Sequence, residues 1–285
     1  NSAHRVALDV TWELDLWGRI RAGNDAALAD LLRTRELQRD LRAALAAQTA
    51  QAYFRLVELD LQVALTGTTV QNREDALRIQ QQRRQAGTGS ALDVHQAEAD
   101  LEAVRAALPA LRQAQQAAAR ALLLLTGETP AAIAEGELER AGALPAPPAI
   151  PEGLPSDLLA RRPDVRAAEA GLAAASARVA EAKARWFPTI RLTGALGQES
   201  EALQNLFTSP ATIWSLFGTL TQPLFQLREL GAQADAAAAR REQAEADYVR
   251  AVQAAFAEIY DALDARTANG DVGEAQQRRI QALEQ

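Results

Sequence analysis

The chain has no cysteine among its 285 residues, which excludes disulfides, thiolate metal sites and a cysteine nucleophile. Histidine is nearly as scarce. His4 and His95 are the two present, and neither stands in a ligand-spaced group, so zinc chemistry and a Ser-His-Asp triad find no support. The paired carboxylates lack any pocket signature, which argues against general acid–base catalysis and against an enzyme, and no catalytic, cofactor or metal residue is assigned. Phe, Trp and Tyr together supply 5% of the residues. No apolar run approaches the roughly 18 residues of a membrane-spanning helix, and no basic-then-apolar leader opens the sequence. The chain starts within a strand-like pattern and stops within a helical one, and so reads as an internal stretch of a longer protein. Its 30 Lys+Arg against 37 Asp+Glu leave a net charge of −7. With the basic residues scattered, a nucleic-acid partner is disfavoured.

What dominates is alanine, within a hydrophobic content of 48%. Alanine is the best helix former and buries little area, so the composition predicts a mostly helical chain whose helices approach closely through small side chains. Against that background three segments alternate with period two. In the first, Val6, Leu8, Val10, Trp12, Leu14 and Leu16 share one face, opposite Ala7, Asp9, Thr11, Glu13 and Asp15. Gly18 ends it. Ile190, Leu192, Gly194 and Leu196 line one face of the second, and Trp214, Leu216, Gly218, Leu220 and Leu224 one face of the third.

Between about Arg19 and about Gln85 there is no proline and the spacing turns helical, with Leu41, Leu45, Gln48, Ala52, Leu59, Val63 and Val70 along one seam. Such a helix is on the order of 100 Å long, with Gly67 its weak point. Ala86-Gly87-Thr88-Gly89-Ser90 reads as a tight turn in which Ser90 caps the next helix. That helix carries Leu101, Val104, Leu108, Leu111, Gln115, Ala118, Leu122 and Leu125 in unbroken heptad spacing. An antiparallel coiled-coil hairpin follows, kinked at Pro109. The boundaries read as a strand over 1–18, the hairpin over 19–126, an irregular proline-rich connector over 127–157, a helix over 158–187, a strand pair over 188–226 and a long helix over 227–285. Within these, Ser156 to Arg161 reads as a short helical turn, and Pro163 opens a helix running to about Arg185.

Leu16-Trp17 aligns with Leu224-Phe225, Gly23 with Gly231, Ala26 with Ala234 and Arg33 with Arg241, at an offset of about 208 residues. Tyr53 pairs with Tyr260 after one residue of slip. The order of strand, glycine and long helix is therefore used twice.

Several stretches together resemble the TolC-like outer-membrane factors, in the lipoprotein branch that serves efflux pumps of the resistance-nodulation-division type. They are Glu13 to Arg19 (ELDLWGR), Ala50 to Phe54 (AQAYF), Gly87 to Val94 (GTGSALDV) with Gln96-Ala97-Glu98, Leu158 to Val165 (LLARRPDV), Ala184 to Ile190 (ARWFPTI) and Gln222 to Phe225 (QPLF). The resemblance implies a mainly α fold, with long antiparallel helices in a periplasmic α-barrel and strands in a β-barrel shared by a homotrimer. It also implies a place in the outer membrane of a Gram-negative bacterium, a passive efflux duct, and docking of a periplasmic adaptor and an inner-membrane pump at the glycine turns. A lipidated cysteine, a further strand and a second turn are expected outside this sequence.

By that analogy Gly87, Thr88, Gly89, Ser90 and Leu92 form the docking tip. Asp93 lines the closed aperture, with Arg83 and Arg84 as candidate partners; its plainer reading is a first-turn acid complementing the helix dipole. Trp12, Trp17, Trp186 and Trp214 read as an aromatic girdle at the lipid interface. Read without the resemblance, the strands suit a half-buried soluble sheet better than a barrel. Glu98, Asp100 and Glu102 read as a solvated face or a lumen-lining acidic band, and His95 as a surface residue. A periplasmic adaptor with one hairpin, or a purely structural coiled coil, is the alternative architecture.

Overall fold

The computed structural model describes residues 3–135, 161–208 and 211–283. Its elements are β1 (His4–Leu14), α1 (Arg19–Gln85), α2 (Ala91–Leu125), a short α3 (Pro130–Glu135), α4 (Pro163–Ala184), β2 (Thr189–Ser200), a 3₁₀ turn (Leu203–Asn205), β3 (Thr212–Thr221) and α5 (Leu227–Leu283). They divide into two packing units: Asn1–Asp40 with Glu152–Gln285, and Leu41–Pro151.

In the first unit the three strands form one antiparallel sheet in the order β1-β2-β3. The register places the apolar faces together. Val10 pairs with Gly194 and Gly194 with Leu216, Leu8 with Leu196 and Leu196 with Trp214, and Trp12 with Leu192 and Leu192 with Gly218. Alternation in each strand thus becomes a two-sided sheet. β1 stops two residues short of the expected Leu16, because Asp15 leaves the ladder to accept the Ile20 and Arg21 N–H groups at 2.9 Å and start α1. β3 stops at Thr221 short of Leu224, since Pro223 has no N–H to continue a ladder.

α4 and α5 approach within 8 Å Cα to Cα, a spacing permitted by alanine. Ala167, Ala174, Ala175 and Ala184 of α4 are buried, as are Ala237 and Ala255 of α5. Larger side chains would hold the axes apart. Pro163 occupies the first helical position as expected, where its missing N–H costs nothing.

The second unit is the hairpin of α1 and α2. Leu56, fully buried, packs with Ala119 and Leu122, and Ala52, Tyr53 and Ala118 close around them. Gln115 donates to Asp60 at 2.6 Å, Arg105 to Glu74 at 2.6 Å, and Arg73 lies 3.9 Å from Asp100. Each pair is nearly equidistant from Thr88, which fixes the antiparallel register. α2 runs on through Pro109, which does not end the helix. Gly67 likewise lies inside unbroken helix. The expected seam holds for α2 and, in α1, for Ala52, Leu59, Val63 and Val70, but not for Leu41, Leu45 and Gln48, which are exposed. α2, at 35 residues, is about half the length of α1 at 67, so it has no turns left to cover them.

The connector contains an unexpected helix, α3, capped by Thr129, whose Oγ1 accepts the Ala132 N–H at 3.3 Å. The rest of the proline-rich stretch, including most of the turn expected over Ser156 to Arg161, lies outside the described residues.

Candidate functional site

Two places carry the expected functional residues. The first is the sheet. Val6, Leu8, Val10, Trp12, Leu196, Trp214, Leu216 and Leu220 all lie on its apolar face, and each is between 55% and 77% exposed. The reverse face presents Asp9, Thr11, Glu13, Arg191, Thr193, Ser215 and Thr219, with Ile213 and Phe217 its large apolar exceptions. Moving eight such side chains from water into hydrocarbon stabilises by about 1–2 kcal/mol each, or on the order of 10 kcal/mol in all. From Val6 to Leu14 the apolar face runs about 27 Å along the strand. At a tilt near 40° that becomes a band about 21 Å tall, close to the lipid-facing band of an outer-membrane barrel.

The four tryptophans divide into two kinds. Trp12 and Trp214 stand on the apolar face, in rows about 13 Å apart along the strands. Trp17 and Trp186 lie off the strands, where the sheet gives way to helix. The Trp17 ring stacks on Phe187 with centroids 4.7 Å apart, and its Nε1 donates to the Pro188 carbonyl at 2.9 Å. Gln222 donates to the Trp186 carbonyl at 3.1 Å, and a side chain at Gly231 would meet the Trp186 ring at 3.5 Å. Both exits from the sheet, after β1 and after β3, therefore close on the one segment Trp186-Phe187-Pro188. Gly23, the repeat counterpart of Gly231, faces Glu181 of α4.

The second place is the turn. Thr88 N–H and Gly89 N–H donate to the Arg83 carbonyl at 2.9 and 3.1 Å, and Gly87 N–H to the Arg84 carbonyl at 3.0 Å. This is the hydrogen-bond pattern that closes a helix through a left-handed residue, and Gly87 supplies it with φ +74°. Gly89 has a different reason: a side chain there would stand 3.0 Å from Arg83 Cβ and 3.1 Å from Arg84 N. Ser90 and Asp93 then form a reciprocal capping box. Ser90 Oγ accepts the Asp93 N–H at 3.2 Å, and Asp93 Oδ2 accepts the Ser90 N–H at 3.1 Å. Asp93 is thus committed to starting α2, a role the spacing S-x-x-D could have disclosed. Arg83 and Arg84 are exposed and make no ion pair among the described residues. Leu92 is 72% exposed.

Farther along α2 each acid has a basic neighbour: Glu98 has His95 at 3.1 Å, Asp100 has Arg73 and Glu102 has Arg105 at 2.7 Å. The solvated-face reading fits this pairing. No group of residues among those described could hold a metal ion.

A third cluster escaped the sequence. Arg162 Nε and Nη2 donate to Asp164 at 3.0 and 2.7 Å, and Nη2 also donates to Glu258 of α5 at 2.6 Å. The Arg162 guanidinium holds the Asp164 carboxyl below its ordinary value of 3.8, overcoming the opposing effect of partial burial. A depressed pKa adds stability above the unfolded value and loses it as pH falls through the folded one. The melting-temperature deficit of Asp164→Asn against wild type should therefore be full near pH 7 and shrink below about pH 4, as thermal unfolding across that range will read.

The family described as "Outer membrane efflux protein" matches residues 1–128 and 154–285. Outer membrane protein OprJ of Pseudomonas aeruginosa is 39% identical over 274 residues, covering 93% of this chain and 55% of that protein. A crystal structure of CusC superposes with a TM-score of 0.88 at 29% identity, over 99% of this chain and 65% of the other. VceC of Vibrio cholerae gives 0.82 at 26%, over 93% and 63%. The chain thus spans little more than half the length of OprJ. Because the match runs across both repeats rather than resting on one motif, the chain belongs to the outer membrane efflux protein family, and it is an outer-membrane protein with the TolC-like fold.

Proposed function

We propose that the intact protein is the outer-membrane duct of a tripartite efflux pump, a passive homotrimeric exit path for drugs or metabolites. The observation that carries this reading is the sheet: an apolar face left uncovered by the described residues, backed by a polar one. Three copies, each contributing its strands, would set the apolar face against outer-membrane lipid and the polar face toward water. The long helices then continue into the periplasm as a tunnel, and the turn from Gly87 to Leu92 is the tip where a periplasmic adaptor and an inner-membrane pump of the resistance-nodulation-division type dock. Energy comes from the pump. An adaptor would have one hairpin flanked by small β domains, whereas here a second strand exit leads into a second long helix. Fractionation of the intact protein tests the reading: a trimer in detergent-solubilised outer membrane is expected, and a soluble monomer would overturn it.

Asp93 at the aperture is part of the same proposal. Since its carboxylate also caps α2, the charge has to be separated from the hydrogen bond. Asp93→Asn keeps an acceptor for the Ser90 N–H, while Asp93→Ala removes both and costs α2 about 1 kcal/mol. Both variants should raise closed-state conductance of the reconstituted intact protein. Unchanged conductance in Asp93→Asn would remove Asp93 from the aperture.

A further inference from the structure

Phe225 is 100% exposed, with its neighbour Leu224 at 66%. An aromatic ring left fully exposed by the described residues is unusual in a chain with so few of them, and its place in the repeat says what it is for. Phe225 follows β3 as Trp17 follows β1. Trp17 does not hang free: it stacks on Phe187 and hydrogen-bonds the Pro188 carbonyl, the lead-in to β2, the strand next to its own. The rule visible in the first repeat is that the ring leaving one strand seats on the lead-in to the adjoining strand.

Applied to the second repeat, that rule points outward. β2 is already flanked by β1 and β3, and its lead-in already takes Trp17 on one side and Gln222 and Gly231 on the other. β3's remaining neighbour must come from its free edge. β1 cannot supply it within the sheet, because β2 lies between them. The further strand expected ahead of β1 is the repeat counterpart of β2 and so pairs with β1 as β2 pairs with β3, leaving the free edge of β3 untouched. Four strands are also far too few to curl round and meet, since closed barrels need about eight. In a closed ring of identical copies, the strand on that edge belongs to the next copy.

We propose that Phe225 is an inter-protomer contact, seated on the lead-in segment of a strand in a second copy of this protein, where it does between copies what Trp17 does within one. The proposal rests on the trimeric duct reading. A ring buried in this way against an aromatic or proline surface contributes through area and through ring geometry, so it locks neighbouring protomers at the level where sheet becomes helix. Its truncation removes no packing among the described residues, where the ring is fully exposed.

The test places the photo-reactive residue p-benzoylphenylalanine at position 225 of the intact protein in outer membranes, and in a second variant at position 17. After irradiation, the probe at 225 should give denatured bands at two and three times the protomer mass, and the probe at 17 a band at protomer mass alone. Native mass measurement of the same samples separates the two claims. A trimer whose probe at 225 yields no inter-chain product overturns the inference and leaves the duct; absence of a trimer overturns both. As a second readout, Phe225→Ala should dissociate to protomers several degrees below wild type in detergent, with Phe225→Tyr restoring most of the difference. Equal dissociation temperatures for wild type and Phe225→Ala would also overturn the inference.

Discussion

Gly197→Val should leave no assembled protein in the outer membrane. Gly197 pairs with Ala7 across the β1–β2 ladder, and a Cβ at this position would stand 2.4 Å from the Val6 carbonyl oxygen and 2.6 Å from Ala7 Cα. These are backbone atoms of a neighbouring strand, so no side-chain rotation relieves the clash. Overpacking in a core costs about 1–3 kcal/mol where side chains can yield; here the strand itself has to move, and the cost is higher. β1 also ends in the Asp15 cap and the Trp17 stack, so displacing it disturbs the start of α1. Gly194→Ala is the matched control, because the nearest atoms to its Cβ are 3.8 Å away. Heat-resistant trimer on a gel should vanish for Gly197→Val and persist for Gly194→Ala. Normal trimer from Gly197→Val would refute the β1–β2 register.

Arginine at Val10 and arginine at Thr11 should differ sharply although the positions are adjacent. Val10 sits at the middle of the apolar face, in the row with Gly194 and Leu216; Thr11 sits on the polar face opposite Thr193. At the middle of a bilayer an arginine facing lipid costs about 2–4 kcal/mol per copy, whereas one facing an aqueous interior costs little. Three copies triple the difference. Detergent or urea titration of folded protein in vesicles should show a large loss for Val10→Arg and a small one for Thr11→Arg. Equal losses would remove the sidedness on which the duct reading rests.

Local chemistry carried most of the fold in the sequence. α1 was legible from Arg19 to Gln85 because Gly18 and Gly87 bound a proline-free stretch. Strand faces were legible because alternation survives pairing, although strand ends were not: Asp15 was claimed by the helix, and β2 continued past Leu196 through Gln198 to Ser200, whose polar side chains hide a strand. Pro109 does not end α2, because one missing hydrogen bond inside a 35-residue helix is outweighed by the bonds on either side. The turn residues were readable as a turn, and the S-x-x-D spacing carried the signal for the Asp93 cap, which the aperture reading passed over. Long-range partners were invisible. Nothing in the motif LLARRPDV tells that Arg162 reaches Glu258, nor that Trp17 and Gly231 meet the same three residues.

The turn from Arg83 to Asp93 has one more consequence. All of its closing bonds, those onto the Arg83 and Arg84 carbonyls and the two of the Ser90–Asp93 box, run between residues no more than six positions apart. None depends on how the two helices lie against each other. The loop is therefore a rigid clip at the end of two springs: when α1 and α2 bend or slide, the deformation is stored along their seam of alanine and leucine, and the turn keeps its shape throughout.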